Sequence, residues 1–353
     1  MNHYLELNPI RETVSDRAGS FELIKPESFI RSPAISVVMS VYNGEKYLRE
    51  SIDSILNQSF KDFEFIIIND GSNDSSLEIL LEYQAGDPRI AVVNQNNLGL
   101  TPSLNRAIRL ARCEYIARQD ADDISLASRL EKQHRFLKSH PQVAVVGCFG
   151  QVFNSEGIVA PIGNLKLSAR AMKRYLPHKN PIMHGSVVMR KSPLAKVGYY
   201  RDFFRHSQDY DLWLRLSEHF DLAILPEPLY QYRVSADAVS VSRFLVQKQY
   251  ADIARQLHAE RLAAGRDSYD TFVRSYPAGL PVRDEVAGKC EYHLFLARGF
   301  ICGNNLRRAR EELLQAWKLG CRRPEIFVLL LKTLLGVRLL SMLRKLKNFG
   351  FRG

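Results

Sequence analysis

The 353-residue chain is short of the features that announce several common chemistries. It has five Cys, at 113, 148, 290, 302 and 321, with no C-x-x-C pair and no metal spacing. An odd, scattered set reads as reduced thiols of an intracellular protein rather than a disulfide framework. No G-x-G-x-x-G follows the first strand, and no G-x-x-x-x-G-K-[ST] occurs. Dinucleotide and P-loop chemistry are therefore not indicated. The N-terminus lacks an apolar h-region, so no secretory signal is expected. No long low-complexity tract or repeat array is present. With 46% hydrophobic and 25% charged residues, the chain can bury a sizeable core in one large or two modest domains.

Net charge is absent from one part and concentrated in another. Residues 1–242 hold 28 Lys+Arg against 28 Asp+Glu, while 243–353 hold 21 against 10, the whole net +11. The basic C-terminal part implies an anionic partner. Nucleic acid is disfavoured, since no aromatic interleaving or recognition motif accompanies the charge. Residues 326–346 approach a membrane span in length, but Lys332, Arg338, Arg344 and Lys345 interrupt them. A charge near a helix centre costs about 2.5–3.5 kcal/mol on insertion scales, which argues against a span. Two readings remain: peripheral attachment to an anionic leaflet, or a hydrophobic helix packed within the protein.

The remaining pattern alternates strand and helix. Apolar, β-branched runs at 35–42, 63–68, 89–94 and 114–119 read as strands. Between them lie helical periodicities around 47–59, 75–81 and 101–111. Ser75 with Glu78 is a capping box, and Thr101 with Pro102 is an N-cap followed by proline at the first helical position. This alternation predicts an α/β fold, with a mixed, mainly parallel sheet and helices on both faces. Residues 1–33 read as an irregular N-terminal arm, 34–242 as the α/β domain and 243–353 as an all-helical extension. The extension is expected to have helices at 243–263, 285–300, 305–319 and 325–347.

The densest chemistry lies where the 114–119 strand stops, at Asp120-Ala121-Asp122-Asp123. Ligands bind at the carboxyl ends of strands in such sheets. Carboxylates this close repel one another and expect a cation. Mg²⁺ or Mn²⁺ takes one or two carboxylates and leaves its other positions to phosphate oxygens and water, the chemistry of a nucleotide-diphosphate site. The alternative is that Asp122 and Asp123 cap a helix beginning near Ser125 and running from Leu126 to Ser139.

Four segments in order resemble the family 2 glycosyltransferases: Ser36–Asn43, Asn69-Asp70-Gly71-Ser72-Asn73-Asp74, Asp120-Ala121-Asp122-Asp123, and Gln208-Asp209-Tyr210-Asp211-Leu212-Trp213. The resemblance covers residues 35 to about 240. It implies a GT-A fold and an inverting transfer of sugar from a nucleotide-diphospho-sugar, UDP- or dTDP-linked, to an acceptor hydroxyl. Asp70 matches the base-contacting aspartate, and Tyr42 and Asn43 match other nucleotide contacts. Asp120 matches the residue near the ribose, Asp122 the metal ligand, and Asp209 the catalytic base. Arg233 stands as a phosphate contact. Ser235 replaces a histidine that follows Tyr-Arg-x in many relatives. Asp211 reads as a solvated or capping carboxylate, Trp213 as core or an acceptor-subsite wall, and His184 as structural or as touching the acceptor or diphosphate. The implied setting is bacterial surface-polysaccharide synthesis on a glycan or lipid-linked acceptor, in the cytoplasm or on the inner membrane face. The rival reading is a catalytically silent protein of the same fold that only binds nucleotide-sugar or glycan.

Overall fold

The computed structural model describes residues 9–26, 33–154, 157–162, 165–234, 244–281, 285–303 and 305–335. By contacts the chain divides into two units. The first takes residues from 1–150, 163–233 and 250–279, the second from 151–162, 234–249 and 280–353.

The N-terminal stretch departs from the expected irregular arm. Pro9–Asp16 (β1) and Gly19–Pro26 (β2) form a tight antiparallel hairpin, and β2 extends the sheet by pairing Glu22 with Asn94 and Ile24 with Val92. Only Phe21, Ile24 and Pro26 of β2 are buried, too sparse a pattern to read as a strand in sequence.

Four parallel strands form the heart of the first unit. These are Ile35–Val41 (β3), Phe63–Asp70 (β4), Ile90–Gln95 (β5) and Tyr115–Arg118 (β6), in spatial order β5-β4-β3-β6. They read as near-continuous apolar runs because both faces are covered: β4 is buried at every position. Intervening helices are Glu45–Leu56 (α1), Ser76–Gly86 (α2) and Leu100–Leu110 (α3). Side chains alternate at the strand ends. Asp70 and Gln95 face α3, where Gln95 bonds Ser103, and the neighbouring pair Asn69 and Asn94 faces away.

Helix ends are held differently from the sequence expectation. Ser75 makes no side-chain cap; Asp74 accepts the Ser76 N–H instead. Helix α3 starts two residues early, from Gly99 at φ 89°, and Thr101 donates its hydroxyl to the Phe204 carbonyl. Residues Ile124–Ser125 (β7) pair with a late strand, so the helix after the carboxylates begins only at Arg129 (Arg129–Ser139, α4). Asp122 and Asp123 therefore do not cap it.

The sheet continues through Val188–Arg190 (β10), Val143–Asn154 (β8) and Asp221–Arg233 (β11), in the order β6-β10-β8-β11-β7; β10 runs antiparallel to both β6 and β8, β7 runs antiparallel to β11, and Gly157–Ile162 (β9) pairs with β8. A short 3-10 turn at His184–Ser186 precedes β10. Helices Ala169–Tyr175 (α5), Lys191–Val197 (α6) and Gln208–Ser217 (α7) complete this region. The architecture is the expected mixed sheet, parallel at its heart, with a helical C-terminal region.

That region contains Phe244–Ala264 (α8), Tyr269–Ser275 (α9), Glu285–Cys302 (α10), Leu306–Lys318 (α11) and Pro324–Leu335 (α12). In the second unit, Leu294, Ala297, Leu313, Ala316, Ile326 and Leu329 form a separate small core joining α10, α11 and α12. Among the described residues no helix is long and apolar enough to cross a membrane. The part of the expected last helix beyond Leu335, and Ser235, lie outside the described residues.

Candidate active site

The strand ends deliver the expected residues to one edge of the sheet. Asp70 ends β4, Tyr42–Asn43 follow β3, and Asp120–Asp123 follow β6. With neighbouring strands about 4.8 Å apart, Asp70 and Asp120 stand two strand spacings apart, on the order of 10 Å.

Asp70 is buried and engaged. Its Oδ1 accepts from Gln95 Nε2 at 2.7 Å and from the Leu98 N–H at 2.9 Å; Oδ2 accepts the Gly99 N–H at 2.9 Å. A carboxylate offers about four lone-pair positions, so one remains on Oδ2. A cleft of about 580 Å³ beside this turn is walled by Asn69, Gly71, Ser72, Asn94, Gln95 and Asn97, and Asp70 itself does not line it. Gly71 has φ 73°, and a Cβ there would stand 2.6 Å from the Asn97 backbone nitrogen, so the Asp70-Gly71-Ser72 turn requires glycine. Asn43 adopts φ 51°, donates its N–H to Ser72 and accepts that of Asn73, tying the first strand end to this turn. Tyr42 is 52% exposed, its ring open for stacking.

The Asp120–Asp123 segment is organised by a residue the sequence reading passed over. Arg118, last in β6, is fully buried and ion-paired with Asp120. It lies within electrostatic reach of Asp122 and of Asp209 as well, so one guanidinium looks onto all three carboxylates. Its Nε and Nη1 find no well-directed hydrogen-bond acceptor. The available signal was an arginine inside an apolar strand, two residues before a carboxylate cluster. Gly185 sets how closely the parts approach, since a Cβ there would collide with the Tyr230 hydroxyl and the Asp120 carboxylate. Tyr230 in turn accepts the Asp120 N–H.

Asp122 is solvent-accessible yet recessed. Partial burial and then the charge of Asp120 push its carboxyl up to about 6. Asp123 is fully buried and accepts the Arg233 N–H at 2.7 Å; burial, then Asp120 and Asp122, push it well above the usual carboxylate range. Arg233 does not extend a bare fork toward the site. Its Nε donates to the Asp122 carbonyl, its Nη2 to Glu50, and its guanidinium lies 4.2 Å from the Tyr47 ring centroid. In this geometry it braces the Asp122 loop.

Asp209 sits in the first turn of α7, after Ser207 at φ 53°. Its Oδ2 accepts from Asn180 Nδ2 at 2.8 Å. Burial pushes its carboxyl up to about 6, against the opposing Tyr210 N–H, Arg118 and Asn180. Two residues on, Asp211 is neither solvated nor capping. It is fully buried and paired with Arg215 at 2.9 Å, with Arg201 at 3.8 Å. The difference follows from the helix: Arg215 lies one turn beyond Asp211 on the same face. Trp213 is wholly buried, edge-on to His184. His184 bonds the Tyr200 hydroxyl at 2.7 Å, and burial, then Arg118, hold it neutral.

Among the described residues no three His, Cys, Asp or Glu side chains are grouped to hold a metal unaided. The donor set present is Asp122, accessible and strained by the like charge of Asp120. That set fits a hard divalent ion whose remaining positions are filled by diphosphate and water.

Comparison with known proteins places this edge of the sheet in a family. The model for glycosyl transferase family 2 matches residues 36–198, the span that carries Asp70, Arg118 and Asp120–Asp123 but ends before Asp209. An uncharacterized glycosyltransferase of Methanocaldococcus jannaschii, MJ1057, is 37% identical over 231 residues, covering 64% of this chain and 79% of its own. The O-antigen biosynthesis glycosyltransferase WbnJ of Escherichia coli is 36% identical over 184 residues, covering 52% and 71%. The mannosyltransferase PcManGT of Pyrobaculum calidifontis, solved with GDP-Man and Mn²⁺, superposes with a TM-score of 0.51 at 16% identity, covering 86% of this chain and 80% of that one. Sequence kinship, the strand-end carboxylates and a shared GT-A architecture agree: the chain belongs to the family 2 glycosyltransferases.

Proposed function

We propose that this glycosyltransferase moves a sugar from a UDP- or dTDP-linked donor to an acceptor hydroxyl, with inversion and with the help of a divalent cation. One observation supports the reading above the rest. Asp209, a carboxyl raised to about 6, shares the buried Arg118 with Asp120 and Asp122. A base with that affinity for protons is mostly ionised at neutral pH yet strong enough to take a hydroxyl proton.

Asp209 receives the acceptor's proton as its oxygen attacks the anomeric carbon from the side opposite the diphosphate. A single displacement inverts that centre. Asn180 fixes the Asp209 carboxylate while the transfer proceeds. Asp70 offers its remaining lone pair to the imide N–H of a uracil or thymine, and the exposed Tyr42 ring stacks on the nucleoside. Asp120 takes the ribose side. Asp122 would hold Mg²⁺ or Mn²⁺ on the diphosphate, which supplies charge neutralisation to the leaving group. Arg233 reaches phosphate only by releasing Glu50, so its first contribution is to hold the Asp122 loop.

The acceptor belongs to a surface polysaccharide, by analogy with the O-antigen relative. Residues 34–242 carry the transferase, and 243–353 an accessory helical region. Its α12 exposes Phe327, Val328, Leu331 and Leu334, each at least half accessible, and residues 336–353 hold five Lys/Arg and no acid. These features support peripheral binding to an anionic cytoplasmic leaflet. Sedimentation with phosphatidylglycerol vesicles, but not with phosphatidylcholine vesicles, is the expected result.

The functional test is donor turnover with Mn²⁺ or Mg²⁺. Asp122→Ala and Asp209→Asn should each abolish transfer in folded protein. Full activity in both would overturn the assignment.

A further inference from the structure

The N-terminal hairpin is bonded to the donor site through a continuous chain of side chains. In the turn between β1 and β2, Asp16 accepts the Ala18 N–H and faces Arg106 of α3. Arg106 is 2% exposed and grips Asp16 with two bonds, Nε to Oδ2 at 2.8 Å and Nη2 to Oδ1 at 2.6 Å. Its Nη2 also reaches the Gly19 carbonyl at 3.2 Å, and its guanidinium lies 4.3 Å from the centroid of the Phe21 ring. The remaining arm, Nη1, donates to Gln95 Oε1. Gln95 passes the constraint on, since its Nε2 donates to Asp70 Oδ1 and to Ser103.

Chemistry fixes the direction of each link. The amide of Gln95 must turn its oxygen to the cation and its nitrogen to the carboxylate, because Arg106 only donates and Asp70 only accepts. A flipped amide would set donor against donor and acceptor against acceptor. Every member apart from the Asp16 tip is buried, and a buried partner lost without replacement is costly. The rotamer of Asp70, and the direction of the lone pair left on Oδ2, thus depend on a turn of the chain's first strands.

We propose that Asp16, Arg106 and Gln95 are positioning residues for the nucleobase, so that the N-terminal hairpin is a specificity element of the donor site. The inference rests on the proposed base contact of Asp70 and deepens it. A role in fold stability alone would weaken every ligand together. A role in aiming Asp70 weakens the base contact and spares the diphosphate.

The test is calorimetric titration of the full-length chain, with Mn²⁺ present, against UDP, GDP and inorganic pyrophosphate. The wild type should prefer UDP to GDP, and Asp70→Asn should erase that preference. Asp16→Asn, in the exposed turn, and Arg106→Met should each weaken UDP by about tenfold, the worth of one charge-assisted hydrogen bond, with pyrophosphate unchanged. Asp16→Glu, which restores the carboxylate, should recover part of the loss. The inference fails if the variants weaken UDP and pyrophosphate equally, or leave the UDP preference intact while Asp70→Asn removes it. If Asp70→Asn itself changes nothing, the base contact falls and the relay falls with it. Should Arg106→Met not fold, Asp16→Asn carries the same comparison.

Discussion

Replacing Asp209 by Asn should inactivate the enzyme and make it more stable. The carboxyl moves from 3.8 to about 6 on folding, chiefly because burial disfavours its charged form. The sign follows from proton linkage. The folded state binds this proton more tightly than the unfolded one, so stability falls as pH rises from 3.8 to about 6, and stays reduced above that. At pH 7 the shift corresponds to a cost of about 3 kcal/mol, an upper bound for what the neutral amide recovers. Asparagine can keep one bond to Asn180 by turning its oxygen toward Asn180 Nδ2. Urea unfolding at pH 7 should therefore show a higher midpoint for the variant, with the gain shrinking toward pH 4. Transfer activity of the wild type should rise with pH through about 6 and be near one tenth of its plateau at pH 5, since the base must be ionised to act. An Asn variant that is active, or a stability gap that widens as pH falls, would refute the reasoning.

Other outcomes follow from the same geometry. Arg118→Met should shift the acid limb of the activity profile to higher pH, because this cation favours the ionised Asp209; an unmoved limb would detach the two. Gly185→Ala should cut turnover strongly while Mn²⁺-dependent nucleotide binding also weakens, as a methyl group there displaces Asp120 and the Tyr230 hydroxyl. Asp211→Ala leaves Arg215 buried and unpaired and should cost about 3–5 kcal/mol in unfolding experiments. Removing the divalent ion with EDTA should stop transfer, and Mn²⁺ should restore it in wild type but not in Asp122→Ala.

How far the sequence reached depended on the kind of interaction. Strands β3 to β6 were legible because parallel strands covered on both faces must be apolar throughout. Their ends carried polar residues that no core requires, so Asp70, Asp120 and Asp122 stood out, while Asp209, in the first turn of α7, was legible only through the resemblance. The hairpin did not stand out, because β1 buries no residue and β2 only three, which leaves little trace. Arg106 was missed for a related reason, as a buried cation whose partners Asp16 and Gln95 come from other segments, whereas Arg118, whose partner Asp120 is only two residues away, was hidden by the apolar strand around it. Asp211 was misread because its neutralising partner, Arg215, lies one helical turn away rather than beside it in sequence. Cap positions shifted where a tertiary bond, such as Thr101 to Phe204, outbid the local one.

The central claim is that strand-end carboxylates hold a nucleoside diphosphate beside a waiting base. A crystal structure of the chain with UDP and Mn²⁺ tests it most directly. The account expects the uracil imide against Asp70 Oδ2, the cation on Asp122 and the β-phosphate, and the Asp209 carboxylate facing the β-phosphate across an open gap. A nucleotide bound elsewhere, or a cation held without Asp122, would contradict it.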